Sequence, residues 1–197
     1  PKPLLEVRGR PLIAWHLAAL ARAGVTSVVI NLAWLGGQIR AAIGDGAAFG
    51  LSVRYSEEPP GALETGGGIF QALPLLGSGP FIVVNGDIHT DFDFATLRIA
   101  SADLAHLVLV PNPDHHPRGD FSLAAGRIGR DGTPRHTYSG IGLYRPEFFA
   151  GCSLGRFPLL PLLERAIAAG RVGGELHAGA WTDVGTPQRL AALNGVT

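Results

Sequence analysis

The sequence predicts an α/β protein in which helices flank a mixed, mainly parallel sheet that carries a small antiparallel insertion. Short β-branched runs alternate with segments of helical apolar periodicity, which is the pattern of βαβ units. Hydrophobic residues make up 46% of the 197 residues, enough to bury a core. The 28 glycines and 15 prolines often border the apolar runs, as expected of tight turns between short elements.

Apolar periodicity and turn residues predict each element in order. The first helix, over residues 11–24, begins at Pro11 and is closed by Gly24. Further helices are predicted over residues 36–43, 65–76, 157–169 and 187–193. Strands are predicted over residues 25–32, 51–56, 81–85, 107–110 and 171–177, and an antiparallel ribbon over residues 121–125 and 136–144 around a turn at residues 130–133. Because no repeat or linker interrupts this order, we expect one domain over residues 1–197.

Composition and charge exclude several classes of protein. Lys+Arg and Asp+Glu both number 16, so the chain lacks the basic character of nucleic-acid binders. A single cysteine, Cys152, excludes an internal disulfide framework and a cysteine-cluster zinc site, and it fits a reducing cytoplasm. No apolar run reaches the length of a membrane span. We therefore expect a cytoplasmic protein whose partners are small molecules.

Two acidic residues stand where predicted strands end. Asp87 follows the apolar run that begins at Phe81, and Asp183 follows residues 180–182. Since ligands of an open parallel sheet bind at the carboxyl ends of its strands, the two carboxylates together predict a Mg²⁺ site shared with phosphate oxygens. The alternative is that each aspartate caps the helix behind it.

Two further segments have the chemistry of phosphate and nucleotide binding. Residues 66–68 are three glycines at the start of a predicted helix, where backbone N–H groups can approach a ligand closely; a plain glycine-rich turn is the alternative. Lys2, held between Pro1 and Pro3, can act as a fixed cation for phosphate, and a solvated lysine is the alternative.

Taken together, these segments resemble the sugar-1-phosphate nucleotidyltransferase family. In order along the chain, the resemblance is carried by Pro-Lys-Pro-Leu at residues 1–4, Gly-Arg-Pro-Leu-Ile at 9–13, Glu-Thr-Gly-Gly-Gly at 64–68, Val-Asn-Gly-Asp at 84–87 and Trp-Thr-Asp-Val-Gly-Thr at 181–186. It implies a Rossmann-like, GT-A-like fold and Mg²⁺ as cofactor. It also implies a reaction in which a nucleoside triphosphate and a sugar 1-phosphate give a nucleotide sugar and pyrophosphate.

The resemblance implies roles for individual residues. It places Lys2 on phosphate oxygens and Mg²⁺ on Asp87 and Asp183. It assigns the nucleobase pocket to residues 63–66, which are Leu63, Glu64, Thr65 and Gly66, and it places Asn85 beside the nucleotide or the sugar. Further sugar contacts are assigned to Asp120, Ser139 and Gly140.

The sequence indicates the family more clearly than it indicates which nucleoside triphosphate and which sugar 1-phosphate are used. Within the family, residues 63–68, 118–121 and 138–142 most resemble an enzyme of cell-wall recycling, and this resemblance implies UTP and a sugar 1-phosphate of that process. Thymidylyl or guanylyl transfer to a hexose 1-phosphate is the alternative.

The sequence departs from the family pattern at two places. The family opens with a strand and a glycine-rich loop whose arginine wraps the triphosphate, whereas this sequence begins after that loop and contains no methionine. We therefore expect the natural chain to extend further; a chain without the loop would favour a non-catalytic subunit that binds nucleotide or sugar. Where many relatives have a Glu-Lys-Pro lysine for the sugar phosphate, this chain has Arg135 and His136.

Three other patterns have competing interpretations. Residues 91–93, Asp-Phe-Asp, match the Asp-x-Asp of metal-dependent glycosyltransferases, which are the rival enzyme class. His115 and His116 suggest a metal but lie in a polar segment without a third ligand, and Cys152 has no base nearby in sequence. We expect the two histidines to be solvated and the thiol to be inert.

Overall fold

The chain divides into two compact units. A computed structural model describes residues 1–59 and 61–195. Unit 1 consists of Pro1–Ala62, Asn85–Thr96 and Ala180–Thr197, and unit 2 consists of Leu63–Val84 and Leu97–Gly179. Unit 2 therefore interrupts unit 1 twice in sequence. The expectation of one domain over residues 1–197 stays a prediction.

The helices and strands lie close to the predicted positions. The helices are α1 (Leu12–Arg22), α2 (Gly36–Ile43), α3 (Glu64–Leu76), α4 (Leu160–Ala168) and α5 (Pro187–Leu193). The strands are β1 (Glu6–Val7), β2 (Arg10–Pro11), β3 (Ser27–Leu32), β4 (Ser52–Glu57), β5 (Phe81–Val84), β6 (Ile88–Thr90), β7 (Ala105–Val110), β8 (Phe121–Ala124), β9 (Arg127–Gly129), β10 (Arg135–Tyr144), β11 (Val172–Leu176) and β12 (Trp181–Asp183). Helix α3 has 13 residues, and no helix in the described ranges has the length and apolar character needed to cross a membrane.

Unit 1 buries the apolar faces of α1 and α2 together with a parallel strand pair. Strands β3 and β4 pair from Ser27 opposite Ser52 to Leu32 opposite Glu57. The side chains of Ile13 and Leu17 on α1 are one turn apart and enter the same core. Its other buried members are Leu32, Ile39, Ile43, Leu51 and Val53. A separate antiparallel ribbon, β6 with β12, also belongs to this unit.

Unit 2 is built on a six-stranded sheet in the order β5-β10-β7-β11-β9-β8. Strand β10 runs antiparallel to both of its neighbours β5 and β7, and β11 runs parallel to β7. Strands β5, β7 and β11 therefore point in one direction and end at the same edge of the sheet. The core contains several aromatic side chains, namely Phe81, Phe121, Tyr144, Phe148 and Phe149.

The expectation of a mainly parallel sheet is wrong in one respect. In the described part of the chain, only the pairs β3–β4 and β7–β11 are parallel, and the others are antiparallel. The reason is that β10 returns from the ribbon against the direction of β7 and inserts between β5 and β7. An apolar run shows that a segment is buried but does not record its direction, so the sequence could not indicate this insertion.

The predicted ribbon contains a strand that the sequence pattern did not indicate. Strands β8 and β9 pair antiparallel around Ala125 and Gly126, whose φ values are 48° and 73°. Two consecutive positive φ values define a tight hairpin turn of the primed type. The turn therefore lies at residues 125–126, and residues 130–133 instead connect β9 to β10.

Candidate active site

In unit 1, the β6–β12 ribbon brings Asp87 and Asp183 to the same end of two neighbouring strands. Asp183 lies opposite Ile88 in the antiparallel ladder. Asp87 immediately precedes β6, and its carbonyl oxygen accepts a hydrogen bond from the Val184 N–H at 2.7 Å. The two acids are therefore one residue apart in the ladder, although they are distant in sequence.

A basic side chain lies beside each carboxylate. Lys2 Nζ lies 3.3 Å from Asp87 Oδ2, and Arg189 Nη1 lies 2.8 Å from Asp183 Oδ1. The side chains of Lys2 and Asp87 are 57% and 36% exposed, so this pair contributes at most about 1 kcal/mol to stability. Because this ion pair contributes so little free energy, Lys2 and Asp87 can separate and each can bind a charged ligand.

The backbone around Lys2 is fixed by its two neighbouring prolines and by a glycine. Lys2 opens a 3₁₀ turn, Lys2–Leu4, in which the Lys2 carbonyl oxygen accepts a hydrogen bond from Leu5 N–H at 3.0 Å. Pro3 packs against Gly86, where an added Cβ would lie 3.0 Å from Pro3 Cγ. The glycine thus leaves room for the proline, and this packing sets Lys2 beside Asp87. Asn85, one residue before Gly86, is exposed.

The capping alternative for the two aspartates is wrong. Asp87 is followed by strand β6 and not by a helix. Helix α5 is capped by Thr186, whose Oγ1 accepts a hydrogen bond from Arg189 N–H at 3.3 Å. The carboxylate of Asp183 instead accepts a hydrogen bond from Gly185 N–H at 3.2 Å and pairs with Arg189.

The two carboxylates fit a hard divalent cation. Mg²⁺ is bound in proteins through one or two carboxylates, with water and substrate phosphate oxygens completing its octahedral shell. Within residues 1–59 and 61–195, no group of three or more His, Cys, Asp or Glu side chains could hold a metal ion. Asp87 and Asp183 would therefore share such an ion with phosphate or water.

A buried histidine that no sequence motif indicates packs beside the start of β6. His16 on α1 is 6% exposed, and its imidazole hydrogen-bonds to the backbone of Ile88. Its Nε2 has no hydrogen-bond partner among the described residues. Burial lowers the pKa of His16 from 6.5 to about 4, so the ring is neutral at pH 7. The only sequence signal is its spacing, four residues after Leu12 and four before Leu20 on the apolar face of the helix.

We expect His16 to make the protein less stable as the pH falls below 6.5. The unfolded chain binds a proton at this ring near pH 6.5 and the folded chain only near pH 4, so the free energy of unfolding decreases across that window. Between pH 6.5 and pH 5 the decrease is about 1.6 kcal/mol, measurable by urea unfolding. In His16→Leu this decrease in the free energy of unfolding should be absent. An unchanged pH dependence of stability would contradict the lowered pKa assigned to His16. His89→Asn is the comparison variant: burial also lowers the pKa of His89, so this change should reduce the pH dependence in the same direction.

In unit 2, the glycine triplet begins helix α3 and packs against a segment of the chain itself. Gly67 N–H donates to the Phe157 carbonyl oxygen at 3.0 Å, and Phe157 N–H donates to the Leu63 carbonyl oxygen at 3.1 Å. An added Cβ would lie 2.7 Å from the Phe157 ring at Gly66 and 2.2 Å from the Gly155 carbonyl oxygen at Gly67. The glycines therefore allow the close approach that was predicted. At Gly66 and Gly67, however, the atoms that approach belong to residues 155–157 of the same chain.

The other predicted nucleotide residues lie in the same turn. Glu64 has a φ of 60°, a left-handed conformation that costs free energy for a non-glycine residue. Its Oε1 accepts a hydrogen bond from Arg156 Nε at 2.9 Å, a contact that no sequence pattern indicated. Leu63 is buried and Thr65 is exposed. This turn is held in a strained conformation by the segment around Arg156, as is common at binding sites.

We expect Gly67→Ala to destabilise the protein by about 1–3 kcal/mol. A glycine-to-alanine change inside a helix ordinarily stabilises, by up to about 1 kcal/mol. Here the new methyl group would meet backbone, at the Gly155 carbonyl oxygen, and would push residues 155–157 away from α3. Urea unfolding measures the effect. Gly37→Ala is the matched control, because Gly37 lies in α2 with nothing within 4 Å of an added Cβ, and this variant should be neutral or more stable. Equal effects of the two changes would contradict the packing argument.

Asp120 fixes the segment between β7 and β8. Its Oδ2 accepts a hydrogen bond from Tyr138 N–H at 2.8 Å, and its Oδ1 lies 3.0 Å from His116 Nε2. Its carbonyl oxygen accepts hydrogen bonds from the guanidinium groups of Arg130 and Arg135. Both carboxylate oxygens of Asp120 thus have a partner in the chain, and the predicted sugar contact would use their remaining lone pairs.

Ser139 has a different role from the predicted sugar contact. The residue is 1% exposed; its Oγ donates to the Val108 carbonyl oxygen at 2.7 Å and accepts from Ile141 N–H at 3.1 Å. These bonds satisfy the backbone at a β-bulge, where the register between β10 and β7 shifts between Tyr138 and Ile141. Gly140 supplies the positive φ of 82° that the bulge requires. The prediction of a side-chain sugar contact is therefore corrected for Ser139, because its hydroxyl is inside the sheet.

The competing patterns of the sequence have local explanations. Asp93 caps the 3₁₀ turn Phe94–Thr96: its Oδ1 accepts a hydrogen bond from Ala95 N–H at 3.0 Å. His116 pairs with Asp120, as described above. Cys152 is half-buried and packs against the core of unit 2. These contacts give the Asp-x-Asp, histidine and thiol patterns structural roles.

Comparison with known proteins defines the class of this chain. Residues 1–133 match the family described as the MobA-like NTP transferase domain. A structure from Bacillus anthracis, described as a glucose-1-phosphate thymidylyltransferase in complex with a sucrose, has a TM-score of 0.82 at 19% identity, covering 99% of this chain and 85% of that one. The chain belongs to the MobA-like NTP transferase family, and the predicted α/β nucleotidyltransferase fold is confirmed.

Two curated relatives indicate a more specific activity within this family. The chain is 52% identical to the N-acetylmuramate alpha-1-phosphate uridylyltransferase of Neisseria meningitidis serogroup B, over 96% of this chain and 86% of the relative. It is 37% identical to the protein of the same name from Caulobacter vibrioides, over 98% and 86%. Less similar relatives are guanylyl- and thymidylyltransferases of sugar 1-phosphates. The predictions of the family and of the enzyme class are therefore confirmed.

Proposed function

We propose that this protein transfers a uridylyl group from UTP to N-acetylmuramate 1-phosphate, giving UDP-N-acetylmuramate and pyrophosphate. The observation that carries the proposal is the placement of Asp87, Asp183 and Lys2 around one ribbon end, in a chain 52% identical to a uridylyltransferase of that name. A role in peptidoglycan recycling in the cytoplasm, where UTP is available, follows from this substrate pair.

The reaction requires charge neutralisation and alignment more than proton transfer. An oxygen of the sugar phosphate attacks the α-phosphorus of UTP, the new P–O bond forms, and the bond to the β-phosphate oxygen breaks as pyrophosphate leaves. Because the attacking oxygen is already anionic, no strong general base is needed. Positioning the two anions against each other supplies most of the acceleration.

The described residues divide these tasks. Lys2 would leave Asp87 to bind a phosphate oxygen, and its fixed backbone limits the entropy lost on binding. Asp87 and Asp183 would hold a divalent cation, for which we propose Mg²⁺; when bound, it supplies positive charge to the phosphate oxygens of the transition state. Arg189 orients the Asp183 carboxylate from the side of α5. Residues 63–66 and Asn85 would contact the base and the nucleotide or sugar, and Asp120 and Gly140 would contact the sugar.

Pyrophosphate release by the complete protein tests the proposal. With UTP, N-acetylmuramate 1-phosphate and millimolar Mg²⁺, we expect turnover that exceeds the rate with dTTP or GTP and with hexose 1-phosphates. Faster turnover with dTTP or GTP would assign the chain to the thymidylyl- or guanylyltransferases instead. Nucleotide binding without release of pyrophosphate from any pair would support the non-catalytic subunit.

A further inference from the structure

The segment of residues 111–120, between β7 and β8, is held in place by its own side chains and is here called the β7–β8 loop. Asn112 Nδ2 donates to the carbonyl oxygens of Pro117 at 3.1 Å and Arg135 at 3.0 Å. Asn112 Oδ1 accepts a hydrogen bond from Thr137 Oγ1 at 3.0 Å. Together with the contacts of Asp120, these bonds fix both ends of the loop to β10.

The β7–β8 loop leaves the sheet at the edge where ligands bind in α/β folds. Strands β5, β7 and β11 of unit 2 all end at this edge. In open α/β sheets, ligands are bound outside the carboxyl ends of the strands, by the loops that follow them. A charged side chain on this loop is therefore well placed to contact a ligand.

Arg118 is an arginine of this loop whose guanidinium is not paired with any described residue. Its side chain is exposed and has no hydrogen bond or ion pair with residues in the described ranges. The other eight arginines of unit 2 each have at least one such partner. In particular, Arg135 donates to the Asp120 carbonyl oxygen. Among the arginines of unit 2, Arg118 is thus the one whose guanidinium is available to a ligand.

The backbone next to Arg118 is tightly constrained. Gly119 is buried with a φ of 60°, and an added Cβ would lie 2.7 Å from Asn112 Oδ1 and 2.9 Å from the His136 backbone. No other residue could take this conformation in this space. The turn at Gly119 therefore fixes where the Arg118 side chain leaves the loop.

The substrate of the proposed function carries a group that suits this arginine. N-acetylmuramate is a sugar acid: a lactyl ether adds a carboxylate that N-acetylglucosamine lacks. A guanidinium binds a carboxylate through two parallel charge-assisted hydrogen bonds. We propose that Arg118 binds the carboxylate of N-acetylmuramate 1-phosphate and selects this sugar against neutral sugars of the same ring; the proposal rests on the proposed uridylyl transfer.

The test compares an acid with its neutral isostere in two proteins. Wild-type protein and Arg118→Gln are assayed for pyrophosphate release with UTP and either N-acetylmuramate 1-phosphate or the same sugar phosphate with its carboxylate converted to a carboxamide. Arg118→Gln should lower kcat/KM for the acid by about 10- to 150-fold, the range of a hydrogen bond between charged groups. The value for the amide should change less than threefold, which a structural role of Arg118 could not produce. Arg22→Gln, which removes one exposed arginine from unit 1, is the charge-matched control and should leave both values unchanged.

The outcomes separate the two proposals. A wild-type protein that uses the acid well, with an Arg118→Gln variant that uses it equally well, overturns the role of Arg118 and leaves the uridylyl transfer standing. An equal loss with acid and amide also overturns it, because Arg118 would then contact the phosphate or support the loop. No turnover of the acid by wild-type protein, with turnover of another sugar phosphate, overturns both.

Discussion

Replacing either Asp87 or Asp183 by asparagine is expected to lower kcat for pyrophosphate release by about 100-fold or more. Each change removes one of the two carboxylates that would hold the divalent cation, and the loss of one group that stabilises transition-state charge costs about 10²–10³ in rate. Both residues are partly exposed at a ribbon end, so the amide should leave the fold intact. Rates over a range of Mg²⁺ concentrations, together with Mn²⁺ binding in the presence of UTP, measure the effect.

Asp93→Asn is the matched control for these two variants. It removes the same charge from a nearby segment, but its carboxylate caps a 3₁₀ turn. We expect its kcat to stay within about threefold of wild type, since asparagine keeps the oxygen that accepts this capping hydrogen bond. Near-full activity of Asp87→Asn or Asp183→Asn would exclude that residue as a metal ligand. A large loss in Asp93→Asn alone would favour the Asp-x-Asp interpretation.

Arg127→Ala is expected to destabilise the protein by about 3–5 kcal/mol. The Asp103 side chain is 4% exposed, and its two oxygens accept hydrogen bonds from Arg127 Nη1 at 2.8 Å and Nη2 at 2.9 Å. The same guanidinium also donates to the Gly170 carbonyl oxygen. Without Arg127, the buried Asp103 carboxylate would have no opposite charge beside it. An unpaired buried charge is what makes the loss of one partner of such a pair strongly destabilising.

Urea unfolding of paired variants checks this account of Asp103. Asp103→Asn should cost less than Arg127→Ala, because the Arg127 side chain is 44% exposed and water can solvate it. Arg40→Ala breaks an ion pair whose side chains are 48% and 72% exposed, and it should cost about 1 kcal/mol or less. A loss in Arg127→Ala no larger than that in Arg40→Ala would refute the buried-pair argument.

Much of the fold could be predicted from the sequence because its elements have strong local signals. Helix α5 spans Pro187–Leu193, as predicted, and begins at a proline, a residue that suits the first position of a helix. Helix α2 was predicted with both of its ends, since Gly44 follows its last apolar residue. Strand β6 was not predicted, and β12 was indicated only by the strand end placed before Asp183, because three-residue strands leave no periodic pattern. The direction of each strand could not be predicted either, since it depends on which segments distant in sequence pair in the sheet.

For the candidate site, the sequence indicates which residue types take part more clearly than which residues contact one another. Asp87 and Asp183 were picked out by their place after apolar runs, and the structure brings them together. Pairwise contacts such as those of Lys2 with Asp87, Arg189 with Asp183 and Arg156 with Glu64 join residues far apart in sequence or across a helix cap. Nothing local records such contacts. Ser139 was misjudged because a buried hydroxyl that completes a bulge looks, in sequence, like one that faces a ligand.

The β6–β12 ribbon also has a consequence for how the enzyme matures. Between the two acids, the ribosome must synthesise Leu97–Gly179, the larger of the two segments of unit 2, and a nascent chain folds as it emerges. A contact between such distant segments closes a long loop and forms late in folding. The chain therefore remains without its pair of carboxylates until residues 181–183 have left the ribosome and joined β6. Chains terminated before residue 181 would therefore be expected to contain the sheet of unit 2 without the proposed metal-binding pair.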